Sequence, residues 1–178
     1  VLGLNRHLTW RRQISSVDPQ TGALLLRNPW SLQYADQVVF VDLCGAQDSV
    51  TADRQDFLGV QGSLREPAAV RSDDPLSGRV GAGLDPCAAL RTQITLDPGH
   101  SADIRVLFGA AYDVEQAREL IRRHRDISPI AALDAVKQRW SDTLDRVVVR
   151  TPDRSFELMM GGWLLYQTLA CRIWARSG

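Results

Sequence analysis

Hydrophobic positions along the chain fall into two regimes, and the change between them is the main architectural signal. Up to about residue 109 apolar residues come in short runs or alternate with polar ones. Turn sequences separate these runs: Asp18-Pro19-Gln20-Thr21-Gly22, Asn28-Pro29, Cys44-Gly45, Gly62-Ser63, Asp73-Asp74-Pro75 and the stretch Gly78 to Gly83. Ala23-Leu24-Leu25-Leu26 and Val38-Val39-Phe40-Val41 are predicted strands. Ala88, Leu90, Ile94 and Leu96 alternate with Arg91, Gln93 and Thr95, while Ala102, Ile104, Val106 and Phe108 alternate with Asp103 and Arg105. Asp97-Pro98-Gly99-His100 lies between these two segments, with Pro presetting φ and Gly tolerating a positive φ, so the pair reads as a hairpin.

After Gly109 the apolar spacing changes to the helical period of about 3.6 residues. Val114, Ala117, Leu120, Ile121 and His124 share one helix face, opposite Glu115, Arg118, Glu119, Arg122 and Arg125. Ser128-Pro129 predicts the N-cap and first position of a second helix, with Ile130, Leu133, Val136, Trp140 and Leu144 inward. A β-type run, Arg146-Val147-Val148-Val149-Arg150, follows it. Thr151-Pro152-Asp153 then starts a third helix through Trp163, Tyr166, Leu169, Ala170 and Trp174. That helix is apolar nearly all round, which predicts burial in a helical assembly larger than this chain supplies.

Composition narrows the class. The 178 residues suffice for one large or two small domains, and 44% hydrophobic with 24% charged residues fits a soluble globular protein. Basic and acidic residues balance at 21 each, which gives no electrostatic reason to bind nucleic acid or an anionic membrane. Cys44, Cys87 and Cys171 are odd in number and widely spaced, and His7, His100 and His124 stand alone; neither a disulfide framework nor a metal site is indicated, and a reducing compartment fits. No stretch approaches the ~20 apolar residues of a membrane span.

Four runs, taken in order, carry a family resemblance: Asp18-Pro19-x-Thr21-Gly22 with Arg27-Asn28-Pro29-Trp30; Thr51-Ala52-Asp53-Arg54-x-x-Phe57-Leu58-Gly59; Leu76 to Leu90; and Trp163-Leu164-Leu165-Tyr166-Gln167-Thr168-Leu169-Ala170-Cys171-Arg172. Together they resemble the phosphorylase-like region of bacterial cyclic β-1,2-glucan synthases, in glycoside hydrolase family 94, which also holds the cellobiose and chitobiose phosphorylases. The resemblance implies a β-then-α fold: a galactose-mutarotase-like super-sandwich portion over residues 1–110, a helical linker over 111–150, and the first helix of an (α/α)6 barrel over 151–178. It implies inverting phosphorolysis, in which one carboxylic acid protonates the glycosidic oxygen while inorganic phosphate attacks the anomeric carbon. No other cofactor is implied. The acid and the phosphate-gripping residues of the family lie beyond Gly178, so no catalytic residue is assigned here and the chain alone is expected to be inactive. Gln167, Arg172 and Arg176 are the substrate-binding candidates, with pairing to protein carboxylates as the alternative role. Gly161 stands where relatives carry Asn.

The implied partners are a β-glucan oligosaccharide, the remainder of the barrel, and a second copy of the chain through residues 151–178. The implied location is cytoplasmic, on a parent anchored in the bacterial inner membrane. Asp53 and Arg54 read as an ion pair fixing a turn, or as residues at the active-site mouth. The Gly78 to Gly83 run lacks the Lys-Ser/Thr ending of a phosphate-binding loop and reads as a structural loop. Trp140, Trp163 and Trp174 suit either a core or sugar stacking. A non-catalytic carbohydrate-binding or interaction sandwich is the competing function.

Overall fold

The computed structural model describes residues 12–30 and 33–174. It divides into two compact units, one ending at Asp126 and one beginning at Ile127. The first is a sheet-rich, sandwich-like region closed by a helix, and the second is helical.

In the first unit, strands β1 (Ile14–Val17), β2 (Leu24–Arg27), β3 (Val38–Asp42) and β6 (Leu107–Ala111) form an antiparallel sheet in the order β1-β2-β3-β6. Strands β4 (Ser49–Asp53) and β5 (Pro86–Arg91) form a second antiparallel pair, with a register shift between Thr51 and Asp53. Two short helices, α1 (Arg54–Leu58) and α2 (Ala68–Arg71), fill the excursion between β4 and β5. The glycine-rich stretch after Leu76 joins the sheets. Ser15 N donates to Gly81 O at 3.0 Å on the β1 side, while Ala52 N donates to Arg79 O at 2.8 Å and Gly78 N to Val50 O at 2.9 Å on the β4 side. Gly78 and Gly81 hold φ of 73° and 131°, which side-chain-bearing residues rarely adopt.

The expected hairpin does not form. Its turn is present, with His100 N donating to Asp97 O at 3.0 Å, but residues 92–106 otherwise carry no regular structure. The strands on either side belong to different sheets: β5 pairs with β4, and β6 pairs with β3. Ile94, Leu96, Ile104 and Val106 remain exposed, so pairing them locally would bury little, whereas β6 gains a full register along Val38–Asp42. The two strands that sequence patterning missed, β1 and β4, are rich in Ser and Thr and hold too few apolar residues to alternate visibly.

Helix α3 (Val114–Asp126) covers one face of the four-stranded sheet. Its start is fixed reciprocally: Asp113 Oδ1 accepts from Gln116 N at 2.8 Å, and Gln116 Oε1 accepts from Tyr112 N at 2.7 Å. Ala117 and Ile121 are fully buried against Ala23, Leu25, Val38, Phe40 and Ala111. Burying Ile121 alone contributes roughly 1.5–3 kcal/mol. Gly109 is required here for closeness, because a Cβ would sit 2.5 Å from the Phe40 ring. His124, expected on the apolar face, is exposed.

Two of the arginines read as a solvated face instead clamp this helix down. Asp18, in the β1–β2 turn, accepts from Arg118 Nε at 2.9 Å and Nη2 at 2.7 Å on one oxygen, and from Thr21 N and Oγ1 on the other. Asp42, at the end of β3, accepts from Arg125 Nε at 2.9 Å and Nη2 at 2.7 Å, and from Gln47 Nε2 at 2.9 Å. Both carboxylates are buried. Burial raises their pKa, but the arginine forks and the additional donors outweigh it, so both sit below the usual carboxylate value.

Removing one partner of a buried ion pair leaves an uncompensated charge, so Arg125→Ala should lose about 3–5 kcal/mol in denaturant unfolding at neutral pH. Because the Asp18 and Asp42 pKa values are depressed on folding, their contribution is present above the unfolded value of about 3.9 and is lost as pH falls through the folded values. Unfolding followed from pH 7 to pH 3 should therefore show a steep acid limb that is shallower in Asp42→Asn. A parallel limb in that variant would contradict the assignment.

Candidate functional site

The second unit holds the residues that the sequence nominates for substrate. Helix α4 (Pro129–Leu144) begins as expected with Pro129 in its first turn, although Ser128 makes no side-chain cap and supplies only its carbonyl, to Ala132 N at 2.9 Å. The segment Arg146 to Arg150 is not a strand. With no partner strand beside it among the described residues, it leaves the helix by a turn and runs along a cavity of about 440 Å3 shared with Glu157, Leu158, Gly161 and Gly162. The third helix is capped by Asp153, two residues after the expected Thr151, with its carboxylate accepting from Ser155 N at 2.9 Å and Phe156 N at 3.3 Å. It continues as α5 (Arg154–Leu158), a π-helical turn (Met159–Trp163), α6 (Leu164–Gln167) and a second π-helical stretch (Thr168–Trp174).

The π-turns re-aim the helix face. Gly161 and Gly162 lie in the first of them, where little side-chain packing resists the extra residue per turn. A Cβ on Gly161 would meet only the Val147 carbonyl at 3.4 Å, so the glycine keeps the neighbouring cavity open. Downstream, Trp140, Tyr166 and Trp174 gather, with ring centroids 5.3 Å (Trp140 to Tyr166) and 5.4 Å (Trp140 to Trp174) apart and tilted. Trp163 stands 6.2 Å from Tyr166.

Gln167 is half-buried and accepts from Cys171 Sγ at 3.1 Å, one helical turn on. Arg172 is exposed and makes no ion pair among the described residues; Arg176 lies outside them. Gln167 and Arg172 share only their helix, and no carboxylate among the described residues joins them. Glu157, nearby in sequence, is held anionic by the Thr151 N–H and by Arg154.

The first unit offers a different constellation. Asp53 ends β4, caps α1 through Gln55 N at 3.0 Å, and pairs with Arg79 of the sheet-joining stretch at 2.8 Å. Its ion-pair partner is therefore Arg79 and not Arg54, whose backbone N–H goes to Asp85 O. Sequence proximity pointed to Arg54, and only the seam between the sheets brings Arg79 close. Cys87 lies against this group, and burial first, then the carboxylates of Asp53 and Asp85, push its thiol up to about 11. No group of His, Cys, Asp and Glu among the described residues is arranged to hold a metal ion, and no described helix is long and apolar enough to cross a membrane.

A sandwich-like sheet unit is thus followed in sequence by a helical one in which Trp140, Trp163, Tyr166 and Trp174 stand close together. Residues 5–127 match the Glycosyl hydrolase 94 supersandwich domain, and residues 139–178 match the Glycosyl hydrolase 94 superfamily catalytic domain. The chain belongs to the glycosyl hydrolase 94 family. It is similar to the cyclic beta-(1,2)-glucan synthase NdvB of Rhizobium meliloti (strain 1021), at 39% identity over 177 residues, 99% of this chain and 6% of the synthase. It is also similar to the N,N'-diacetylchitobiose phosphorylases of Vibrio furnissii and Vibrio proteolyticus, at 29% and 28% identity over 130 residues, 72% of this chain and 16% of each enzyme. The chain thus spans a small part of the length of these relatives.

The cysteines give a direct check of the geometry. Cys171 is exposed, whereas Cys87 is partly buried with its thiol held protonated. At pH 8 a small alkylating reagent should modify Cys171 well before Cys87, as read by peptide mass spectrometry. Comparable rates would mean that the β4–β5 unit is open.

Proposed function

We propose that this chain is part of a region that carries out inverting phosphorolysis of β-1,2-linked glucan within a larger synthase, and so adjusts glucan chain length. The observation that carries the reading is the 39% identity along 99% of this chain to a protein whose name specifies β-(1,2)-glucan. In the reaction, an oxygen of inorganic phosphate bonds to the anomeric carbon as the glycosidic C–O bond breaks. The proton of a carboxylic acid passes to the departing sugar oxygen, and glucose 1-phosphate leaves with inverted configuration. Phosphate is the co-substrate, and no further cofactor is needed. Gln167, Arg172 and Arg176 are proposed to contact sugar hydroxyls or to brace the residues that do. On this reading the region works on the cytoplasmic side of a membrane-anchored parent.

A general acid needs a carboxyl whose pKa is raised towards neutrality. Asp18, Asp42 and Glu157 are instead held below their ordinary values by donors, which suits structural anions. On the family resemblance we assign the acid to a part of the catalytic domain that these 178 residues do not span. Incubated with β-1,2-gluco-oligosaccharides and phosphate, this chain alone should release no glucose 1-phosphate, while a protein carrying the whole catalytic domain should. Turnover by the chain alone that survives repurification would place the acid within it; a complete protein with no phosphate-dependent release would refute phosphorolysis.

Leu158, Trp163, Ile173 and Trp174 are each more than half exposed on the last helix. Contiguous apolar surface beyond a few hundred Å2 favours association. Self-association through residues 151–178 is accordingly proposed for the isolated chain. Sedimentation should show concentration-dependent dimers or larger species that shrink to monomers in Trp163→Ser/Ile173→Ser; an unchanged distribution would rule this segment out.

A further inference from the structure

The two sheets of the first unit leave a cleft of about 370 Å3 between them. This falls within the ~300–1,000 Å3 range of small-molecule sites. Its floor is the sheet face turned away from α3, built from the cross-strand pairs Leu26–Val39 and Val41–Phe108. Pro86, Cys87 and Ala88 of β5 form the facing wall. Cys87 stays a neutral thiol there.

The rim differs in character from the floor. Gln13, Arg27, Asn28 and Gln37 stand around it. Among the described residues, the side chains of Gln13, Arg27 and Gln37 make no hydrogen bond or ion pair. Asn28 uses only its carbonyl oxygen, accepting from Trp30 N at 3.3 Å. Amides that offer both donors and acceptors match hydroxyl groups, which are themselves both. One cation with no cluster of N–H donors is a poor seat for a phosphate, and a rim of unsatisfied amides is a poor mouth for a purely apolar ligand. An aliphatic and aromatic floor within such a rim matches a sugar ring, which is apolar on its C–H face and polar at its edge.

Two aromatic residues line the cleft, Tyr34 and Phe108, of which Phe108 is the more exposed, at 76% against 45%. Trp30 is close by, but the Arg12 guanidinium already covers its ring at 3.5 Å from the centroid. Phe108 belongs to the floor itself and is 76% exposed, so its ring is open to a ligand. We infer that this cleft is an accessory binding site for a short stretch of β-linked gluco-oligosaccharide, with Phe108 under a sugar face and Gln37, Asn28 and Arg27 on its hydroxyls. The site is distinct from the helical candidates around Gln167. The choice of glucan as ligand rests on the proposed function; the amphipathic cleft itself does not.

The test is a titration of the full 178-residue chain with a β-1,2-linked gluco-oligosaccharide, followed by amide chemical shifts. Perturbations should centre on Gln37, Val39, Val41 and Phe108. Phe108→Ala and Gln37→Ala should each weaken binding by roughly tenfold. Val60→Ser, at a position outside the cleft that is 98% exposed, should leave binding unchanged. Circular dichroism of each variant distinguishes lost binding from lost folding, and Arg27→Ala, at an exposed rim position, serves if Phe108→Ala does not fold. Shifts confined to residues 151–174, or no shift with any β-linked gluco-oligosaccharide, overturn the inference. Cleft binding without phosphorolysis by the complete protein would sink the proposed function and leave this site standing; phosphorolysis without cleft binding would do the reverse.

Discussion

The first unit depends on how two buried carboxylates are neutralised. Asp18 closes the β1–β2 turn and Asp42 ends β3, and each would be strongly disfavoured in the interior without a cation. Both cations come from α3, at Arg118 and Arg125, two helical turns apart on one stripe. The spacing makes the requirement selective: only one rotation and one axial position of the helix satisfies both forks. That placement sets Ala117 and Ile121 over Leu25, Val38 and Phe40. Hydrophobic burial supplies most of the stabilisation, and the ion pairs choose among the packings that burial alone would allow.

The network also reaches the loops. Arg125 Nη2 donates to Thr21 O as well as to Asp42, and Gln47 joins Asp42 to Gly22 O at 2.9 Å. The β1–β2 turn and the loop after β3 are thereby fixed to one another as well as to the helix. On the far side of the same sheet no helix among the described residues is packed, and Leu26, Val39, Val41 and Phe108 of that face line the cleft. The two faces of one sheet thus differ: one is buried under α3, and the other lines an open cleft.

In the second unit the constraint is different. The apolar residues of α4 and of the helix after Asp153 outnumber the partners present, and Trp140, Tyr166 and Trp174 satisfy one another only in part. The π-turns at Met159–Trp163 and Thr168–Trp174 change which side chains share a face, so a plain 3.6-residue wheel misplaces everything after Gly161. The two units thus differ in how their apolar residues are covered: the sheets and α3 of the first enclose its core, whereas the helix after Asp153 leaves much of its apolar surface exposed.

The sequence by itself determined the elements with strong local signals. The change of period near Gly109, the helices Val114–Asp126 and Pro129–Leu144, the strands around Leu24–Arg27 and Val38–Asp42, and the family through its four ordered runs were all legible from neighbouring residues. Gln167 and Arg172 could be nominated in the same way, because their motif is contiguous. Tertiary structure decided everything that joins distant segments. Ala88–Leu96 and Ala102–Phe108 looked like a hairpin, yet their outer ends pair with β4 and β3, since alternation records which side chains share a face and not which strand lies alongside. Arg118 and Arg125 looked solvated because a charged residue on a helix reveals nothing of an aspartate some hundred or eighty residues away. Asp53 found Arg79 for the same reason, across a seam made by backbone hydrogen bonds that leave no mark on side-chain pattern. The cleft floored by Phe108 is lined by residues of both sheets, Leu26, Val39, Val41 and Phe108 of one and Pro86, Cys87 and Ala88 of the other, a juxtaposition that no single stretch of sequence contains.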